Sequence, residues 1–406
     1  MRKSTMWVCV VTCGVLAIAA CSSGDDEEGA VNRDDAGTTS SGGSSGGGGG
    51  SSGTSGGGSS SGASGGGDCT RDLATETFGF TDGAAFANLP VVGASSLPAN
   101  ARANSGRVVV DACGIHLLAE LDHNYSIHSW VAGAAYVQKS TADVNLRSIV
   151  NFLKIGDDFA VVGTDGDNHT YLYRMPGAGG ALQKVQSEPL PASGDFGMQS
   201  ISRNQTHLFF NSWIDGNRYA LRRAPIEAFA TGTLPLAEPM VEGQGMMPVI
   251  AWADQVAFGN KHYPASCATA CTETAEITDA PNLAYAIGGA GDTLYGWEFG
   301  HLITRGRSAA RVDSVPAGID AGDDPMVRGS ISADGKRVVV VTSGPSGVKL
   351  HRIDGANTAT PTGSTLLLHP DSKSVQDVWT NGRVVLLVTA HSEDTKPLKV
   401  EGIAWP

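Results

Sequence analysis

The sequence predicts an all-β protein, a β-propeller of seven blades, and three observations carry that expectation. A polar turn followed by an apolar strand recurs seven times, with turns beginning at 105, 157, 204, 254, 291, 334 and 381, so that the steps are 52, 47, 50, 37, 43 and 47 residues. Propeller blades recur at about 40–50 residues and hold four strands each. The strands that follow the turns are solidly apolar, as in Val338 to Val341 and Val384 to Val388, whereas those one loop later alternate, as in Tyr171-Leu172-Tyr173-Arg174 and Lys349-Leu350-His351-Arg352. No long segment places apolar residues at helical spacing, and 54 glycines are too many for helices.

The turns and strands run in order. Ser105-Gly106 leads into Val108 to Val110, Asp157-Asp158 into Phe159 to Val162, Asn204-Gln205 into Leu208-Phe209-Phe210, and Asp254-Gln255 into Val256-Ala257-Phe258. Gly291-Asp292 then leads into Leu294-Tyr295, Asp334-Gly335 into Val338 to Val341, and Asn381-Gly382 into Val384 to Val388. A strand packed on both faces is apolar throughout, and one facing water on one side alternates. The apolar runs are therefore assigned to inner strands, with Val108 to Val110, Val338 to Val341 and Val384 to Val388 in equivalent places. The competing architecture is a pair of β-sandwiches, which lacks this repeat spacing.

The segment Ile331-Ser332-Ala333-Asp334-Gly335-Lys336-Arg337-Val338-Val339-Val340-Val341-Thr342-Ser343 resembles the Ser-x-Asp-Gly-Lys-Arg strand signature of TolB-type, WD-repeat-like bacterial propellers, and Asn381-Gly382-Arg383-Val384 echoes it in part. The resemblance implies the propeller fold over roughly residues 90 to 406 and no TolB-specific function. Ala333 stands where that family usually has proline, and no separate α/β domain precedes the repeats.

Ahead of the repeats, residues 1–20 have the build of a secretory signal peptide: Arg2 and Lys3, an apolar stretch from Met6 to Ala19, and small residues before a cysteine. Ile18-Ala19-Ala20-Cys21 resembles the bacterial lipobox, which implies cleavage before Cys21 and lipidation of its sulfur. Stable anchoring takes more than one acyl chain. The apolar stretch is shorter than the ~20 residues of a membrane span. Ser22 resembles the residue found after the cysteine in lipoproteins passed to the outer membrane, so outer membrane is expected over inner. Residues 21–67 form a Gly/Ser-rich linker with almost no large apolar side chain to offset the entropy of ordering. As flexible coil it spans roughly 35–40 Å. The propeller domain is assigned to residues 68–406.

The formal charge is −13, and losing the leader removes two cations and no acid. Phosphate binding runs on clustered Lys and Arg, so nucleic acid is not an expected partner. Of the seven cysteines, Cys9 and Cys13 belong to the leader and Cys21 is the lipidation site. Cys69, Cys113, Cys267 and Cys271 remain, and an exported protein with four cysteines points to two disulfides with three possible connectivities. Cys267 and Cys271 with His262 lack the tight pair of a zinc knuckle, so a disulfide closing a short loop is expected there.

The loops between the apolar and alternating strands are expected on one face, among them Asp165-Gly166-Asp167-Asn168-His169, Asp215-Gly216-Asn217, the Pro264 to Thr274 loop, Gly344 to Gly347 and Ser392 to Lys396. Asp165, Asp167, Asn168, Asp215 and Asn217 are the candidate ligand residues. Their oxygens suit calcium, but Thr170 and Pro176 stand where an EF-hand needs Gly and Glu, and Asp/Gly/Asn is also plain turn chemistry. No metal or cofactor is assigned. His116, His123 and His128, near Asp122 and Tyr125, are the raw material of acid/base chemistry, but no nucleophile elbow, His-Glu-x-x-His pair or phosphate loop accompanies them. The expected function is a lipid-anchored envelope protein whose propeller binds or scaffolds an envelope protein or glycan. The alternative is an envelope hydrolase or lyase with its active site over the propeller channel.

Overall fold

The computed structural model describes residues 72–405 with breaks, the longest at 89–102 and 186–200. The leader, Cys21, Cys69 and the Gly/Ser linker lie outside the described residues, as do His123, Asn168, Asn217 and the 392–398 loop.

Seven four-stranded antiparallel sheets form a seven-bladed β-propeller. After β1 (Ala87–Asn88), the first blade holds β2 (Ala103–Asp111), β3 (Gly114–Leu121), β4 (Asn124–Val131) and β5 (Val137–Ala142). The second holds β6 (Leu146–Ile155), β7 (Asp158–Asp165), β8 (Thr170–Met175) and β9 (Gln183–Lys184). The third holds β10 (Ile201–Arg203), β11 (His207–Asp215), β12 (Arg218–Pro225) and β13 (Val241–Gln244), with the short helix α1 (Ile226–Ala230) after β12. The fourth holds β14 (Val249–Trp252), β15 (Gln255–Phe258), β16 (Lys261–Pro264) and β17 (Ala275–Glu276). The fifth holds β18 (Ala286–Ala290), β19 (Thr293–Glu298), β20 (His301–Gly306) and β21 (Arg311–Ser314). The sixth holds β22 (Met326–Ile331), β23 (Arg337–Gly344), β24 (Gly347–Asp354) and β25 (Thr362–Leu367). The seventh is β26 (Ser372–Thr380), β27 (Val384–His391) and β28 (Lys399–Ala404), completed by β1, which pairs Ala87 with Gly402 and Asn88 with Glu401. The fourth strand of the last blade thus comes from the other end of the chain.

The apolar runs are second strands, and their packing explains their composition. Along β23, Val339 and Val341 pack with Val385 and Leu387 of the seventh blade, while Val338 and Val340 pack with Tyr295 and Trp297 of the fifth. Along β27, Val385 and Leu387 face the sixth blade, and Val384, Leu386 and Val388 meet Ile115 and Leu117 of the first. Successive side chains point to opposite faces, and each face is covered by a neighbouring blade, so Val338 to Val341 and Val384 to Val388 are apolar throughout. The first strands are innermost and lie against one another around the axis.

Val108 to Val110 do not occupy the equivalent place. They lie in β2, a first strand, and Val109 and Val110 are only half-buried. The counterpart of β23 and β27 in that blade is β3, with Ile115, Leu117 and Leu118. Ser105-Gly106 is within β2, and the real turn is at Asp111 to Gly114, where Asp111 Oδ1 accepts the N–H groups of Cys113 at 2.8 Å and Gly114 at 3.1 Å. A Val-rich strand preceded by Ser-Gly has the same composition as a turn followed by a second strand, so composition misplaced the register.

Among the described residues, five first strands carry a β-bulge, β2, β6, β18, β22 and β26. Hydrogen bonds lace neighbouring first strands together: Ser202 Oγ accepts Ala251 N–H at 2.9 Å, Ser330 Oγ accepts Thr380 N–H at 3.1 Å, and Asn151 Nδ2 donates to Ile201 O at 3.3 Å.

Candidate functional site

The acidic hairpin between β7 and β8 keeps its sequence-predicted carboxylates together. Ligand atoms of Asp165, Asp167 and His169 lie within 4.8 Å of one another. Asp165 Oδ1, however, already accepts the N–H groups of Asp167 at 3.0 Å and His169 at 2.9 Å, while Asp165 N–H donates to His169 O. An Asp at the start of a tight turn makes these bonds to hold the turn, so the geometry is that of a hairpin. Asp215 ends β11 at the corresponding turn of the third blade.

The cysteine loop does not join that face. It runs between β16 and β17, third and fourth strands, whereas the turns at Asp165 and Asp215 join second to third strands. Successive hairpin turns of a meander alternate between the two rims, so the cysteine loop belongs to the rim of the first-to-second turns. Ala265 N–H accordingly donates to Asp254 O in such a turn at 2.7 Å. The sequence places this loop on the wrong rim because the four residues of β16 are too few to show the alternating pattern. Cys267 and Cys271 are disulfide-bonded, with Cα atoms 5.9 Å apart. The loop clasps two blades: Cys271 N–H donates to Met240 O at 2.8 Å and Arg223 Nη1 to Ala265 O at 2.8 Å, both in the third blade. Cys113 is also disulfide-bonded, with its partner outside the described residues.

One constellation has the composition of a catalytic relay. His116 Nδ1 is 2.7 Å from Ser129 Oγ and its Nε2 is 3.0 Å from Asp111 Oδ1. Burial pushes the Asp111 carboxyl up, but hydrogen bonds from His116 and Cys113 N–H, with the charges of His116 and Lys154, bring it net below the usual range. Ser129 is 0 % exposed and His116 1 %, with the imidazole edge-on to Phe159. A nucleophile must reach the carbon it attacks, and this hydroxyl reaches only protein. The relay ties β2, β3 and β4 together.

The charged groups that converge at the axis come from three consecutive blades. Arg107 on β2 and Arg328 on β22 both donate to the carbonyl of Gln376 on β26, Arg107 Nη1 at 2.8 Å and Arg328 Nε at 2.9 Å. Beside them Asp377 Oδ2 accepts Val108 N–H at 2.8 Å and Oδ1 accepts Val378 N–H at 2.9 Å. The bulges of β22 and β26, between Met326 and Arg328 and between Val375 and Asp377, fall at this level. A bulge bends the strand and re-aims its side chains. Burial lowers Arg107, opposed by Asp377; burial and then the Arg107 charge take Arg328 down to about 10, against the pull of Asp377. Burial pushes the Asp377 carboxyl up, opposed by Arg107, Val108 N–H, Arg328 and Val378 N–H. Arg328, at about 10, stays charged at neutral pH.

Sequence reasoning missed this cluster, although a signal exists. Arg107, Asn151, Arg328 and Asp377 each stand four residues ahead of the residue that opens the next turn, Asp111, Ile155, Ser332 and Asn381. The misplaced first turn hid that alignment.

No known family matches the chain, and no curated protein matches it. Among solved structures, the chain is similar to the crystal structure of the computationally designed Ika8 protein, with 10 % sequence identity, a TM-score of 0.45, and coverage of 74 % of this chain and 96 % of that one.

Proposed function

We propose that the protein is an exported lipoprotein, acylated at Cys21, whose propeller serves as a binding or scaffolding module for an envelope protein or glycan, held off the outer membrane by the Gly/Ser linker. The observation that carries the binding reading is the seven-bladed ring itself, whose first strands bring polar side chains of several blades to one axis. The anchoring half rests on the lipobox resemblance and on two-chain anchoring. Fractionation of cells carrying Cys21→Ala tests it: the variant moves to the soluble fraction. Persistent detergent-dependent membrane association overturns the anchor. Affinity capture from solubilised envelopes with the full chain tests binding, with a saturable envelope ligand as the expected result and no enrichment over heat-unfolded chain as the failure.

A further inference from the structure

We infer that β21, the outer strand of the fifth blade, is a docking edge for a second copy of this chain, paired antiparallel about a two-fold axis at Val312. The surface lies away from the propeller axis and goes beyond the binding-module reading. β21 ends the β18-β19-β20-β21 sheet, so its outer edge has no strand beside it among the described residues. Such an edge offers a row of backbone N–H and C=O groups to another strand. The large apolar side chains exposed among the described residues all stand at this blade: Val312 on β21 is 48 % exposed, Val315 just after it 62 %, and Phe299 in the turn between β19 and β20 64 %. Ser314 pairs with Leu302, so Val315 starts level with His301, two residues beyond Phe299.

Phe299 is kept at a cost. Glu298 pairs with His301 across a two-residue turn in which Phe299 has φ +46° and Gly300 φ +85°. Such a turn ordinarily takes Asn, Asp or Gly, because bulky side chains resist positive φ. A strained, solvent-facing ring beside two exposed valines marks a surface kept for contact.

The charges select a second copy as the occupant. Among the outer strands β1, β5, β9, β13, β17, β21 and β25, β21 alone carries both a cation and an anion, Arg311 and Asp313, one on each side of Val312. Antiparallel pairing centred on Val312 sets Val312 opposite itself and each Arg311 opposite Asp313 of the other copy, on one face of the joined sheet, where opposite charges attract. Registers centred on Arg311 or on Asp313 would oppose like charges, and those in between would set Val312 against a charge. Arg311 is held along the edge by Asp313, Nε to Oδ1 at 2.6 Å, and by Glu298, Nη2 to Oε2 at 2.8 Å, while the Asp313 side chain stays exposed. Edges that avoid other strands carry lysine or inward-pointing charge, whereas this one carries its own complement. Pairing over four residues falls below about 1,200 Å², so the dimer is weak and transient.

The test follows the full chain in density-matched detergent by sedimentation equilibrium at rising concentration, and in cells by oxidative cross-linking of Val312→Cys. A monomer–dimer equilibrium is expected. It should weaken by about tenfold or more in Val312→Lys, because an edge lysine blunts strand pairing, and likewise in Asp313→Arg, which opposes two cations across the axis. Both positions are exposed, so an unchanged thermal midpoint is expected of each variant; one that lowers it is set aside for the other, and the cross-link stands apart from both. Val312→Cys should give a disulfide-linked product of twice the chain mass, far faster than Lys336→Cys on the exposed turn of the sixth blade. Monomer at every concentration, unaltered association in either folded variant, equal cross-linking at the two introduced cysteines, or a product that contains a different protein overturns the inference.

Discussion

Asp377 and Val108 are 269 residues apart in sequence, and the carboxylate of one accepts the backbone N–H of the other at 2.8 Å. The bond joins the innermost strands of the last and first blades. Its sister oxygen accepts the N–H of Val378, so both carboxylate oxygens are engaged.

Asp377→Asn is therefore not a neutral swap. An amide offers one oxygen where two N–H groups require acceptors, and its NH2 faces a donor. Leaving a buried donor unsatisfied costs about 1–3 kcal/mol. Urea denaturation should show a loss of that size with an unchanged slope; a loss under 0.5 kcal/mol, roughly the noise of surface substitutions, would show that the bond is dispensable.

Acid should weaken the fold through two histidines on third strands. Burial lowers His128 to about 4, and burial with the Arg305 charge lowers His262 to about 4. The native state holds both neutral while the unfolded chain takes up protons below about 6.5. Their stabilisation is present above that value and is lost as pH falls from about 6.5 towards 4, by up to about 3 kcal/mol each. His262→Phe keeps the edge-on contact with Trp252, whose ring lies 5.0 Å away, and should flatten the slope of stability between pH 7 and 4.5.

Reducing the Cys267–Cys271 bond should cost about 2 kcal/mol, because the closed loop is short and chain entropy grows only slowly with length. Cys267→Ser with Cys271→Ser isolates this bond from the one at Cys113. Hydrogen exchange should quicken first at the backbone amides of residues 271 and 265, which donate to Met240 O and Asp254 O. Uniform change across all blades would contradict the clasp.

Gly335 has φ +71°, and a Cβ there would lie 2.7 Å from the hydroxyl of Tyr295, whose side chain is buried. Gly335→Ala combines positive-φ strain with that clash and should cost about 1–3 kcal/mol. Calorimetry of the variant would show a midpoint several degrees lower, and an unchanged midpoint would mean that the turn relaxes freely.

Six of the seven turns were legible because Asp-Gly, Asn-Gly and their relatives are what tight hairpins demand, and β23 and β27 were legible because each apolar run follows such a turn directly. The first blade was read out of register because β2 and β3 are chemically alike. The closing strand β1 has two residues and pairs through its backbone, so Ala87-Asn88 carries no compositional mark. The arginine pair was missed for a different reason: Arg107 and Arg328 meet only because the ring brings the sixth, seventh and first blades together, and their shared place four residues ahead of a turn shows only once the first turn is placed correctly.

The ends of the ring are held against a pull on the chain in more than one place. Residues 72–81 dock on the last blade: Asn381 Nδ2 donates to the carbonyls of Leu73 and Glu76, and Phe80 packs in the core beside Val384 and Leu386. Behind that docking stand the two residue pairs of β1 with β28. The cysteines outside the described residues all precede residue 72, so the Cys113 disulfide carries such a pull to the first blade, and the docking and the seam bear it only once that bond is reduced.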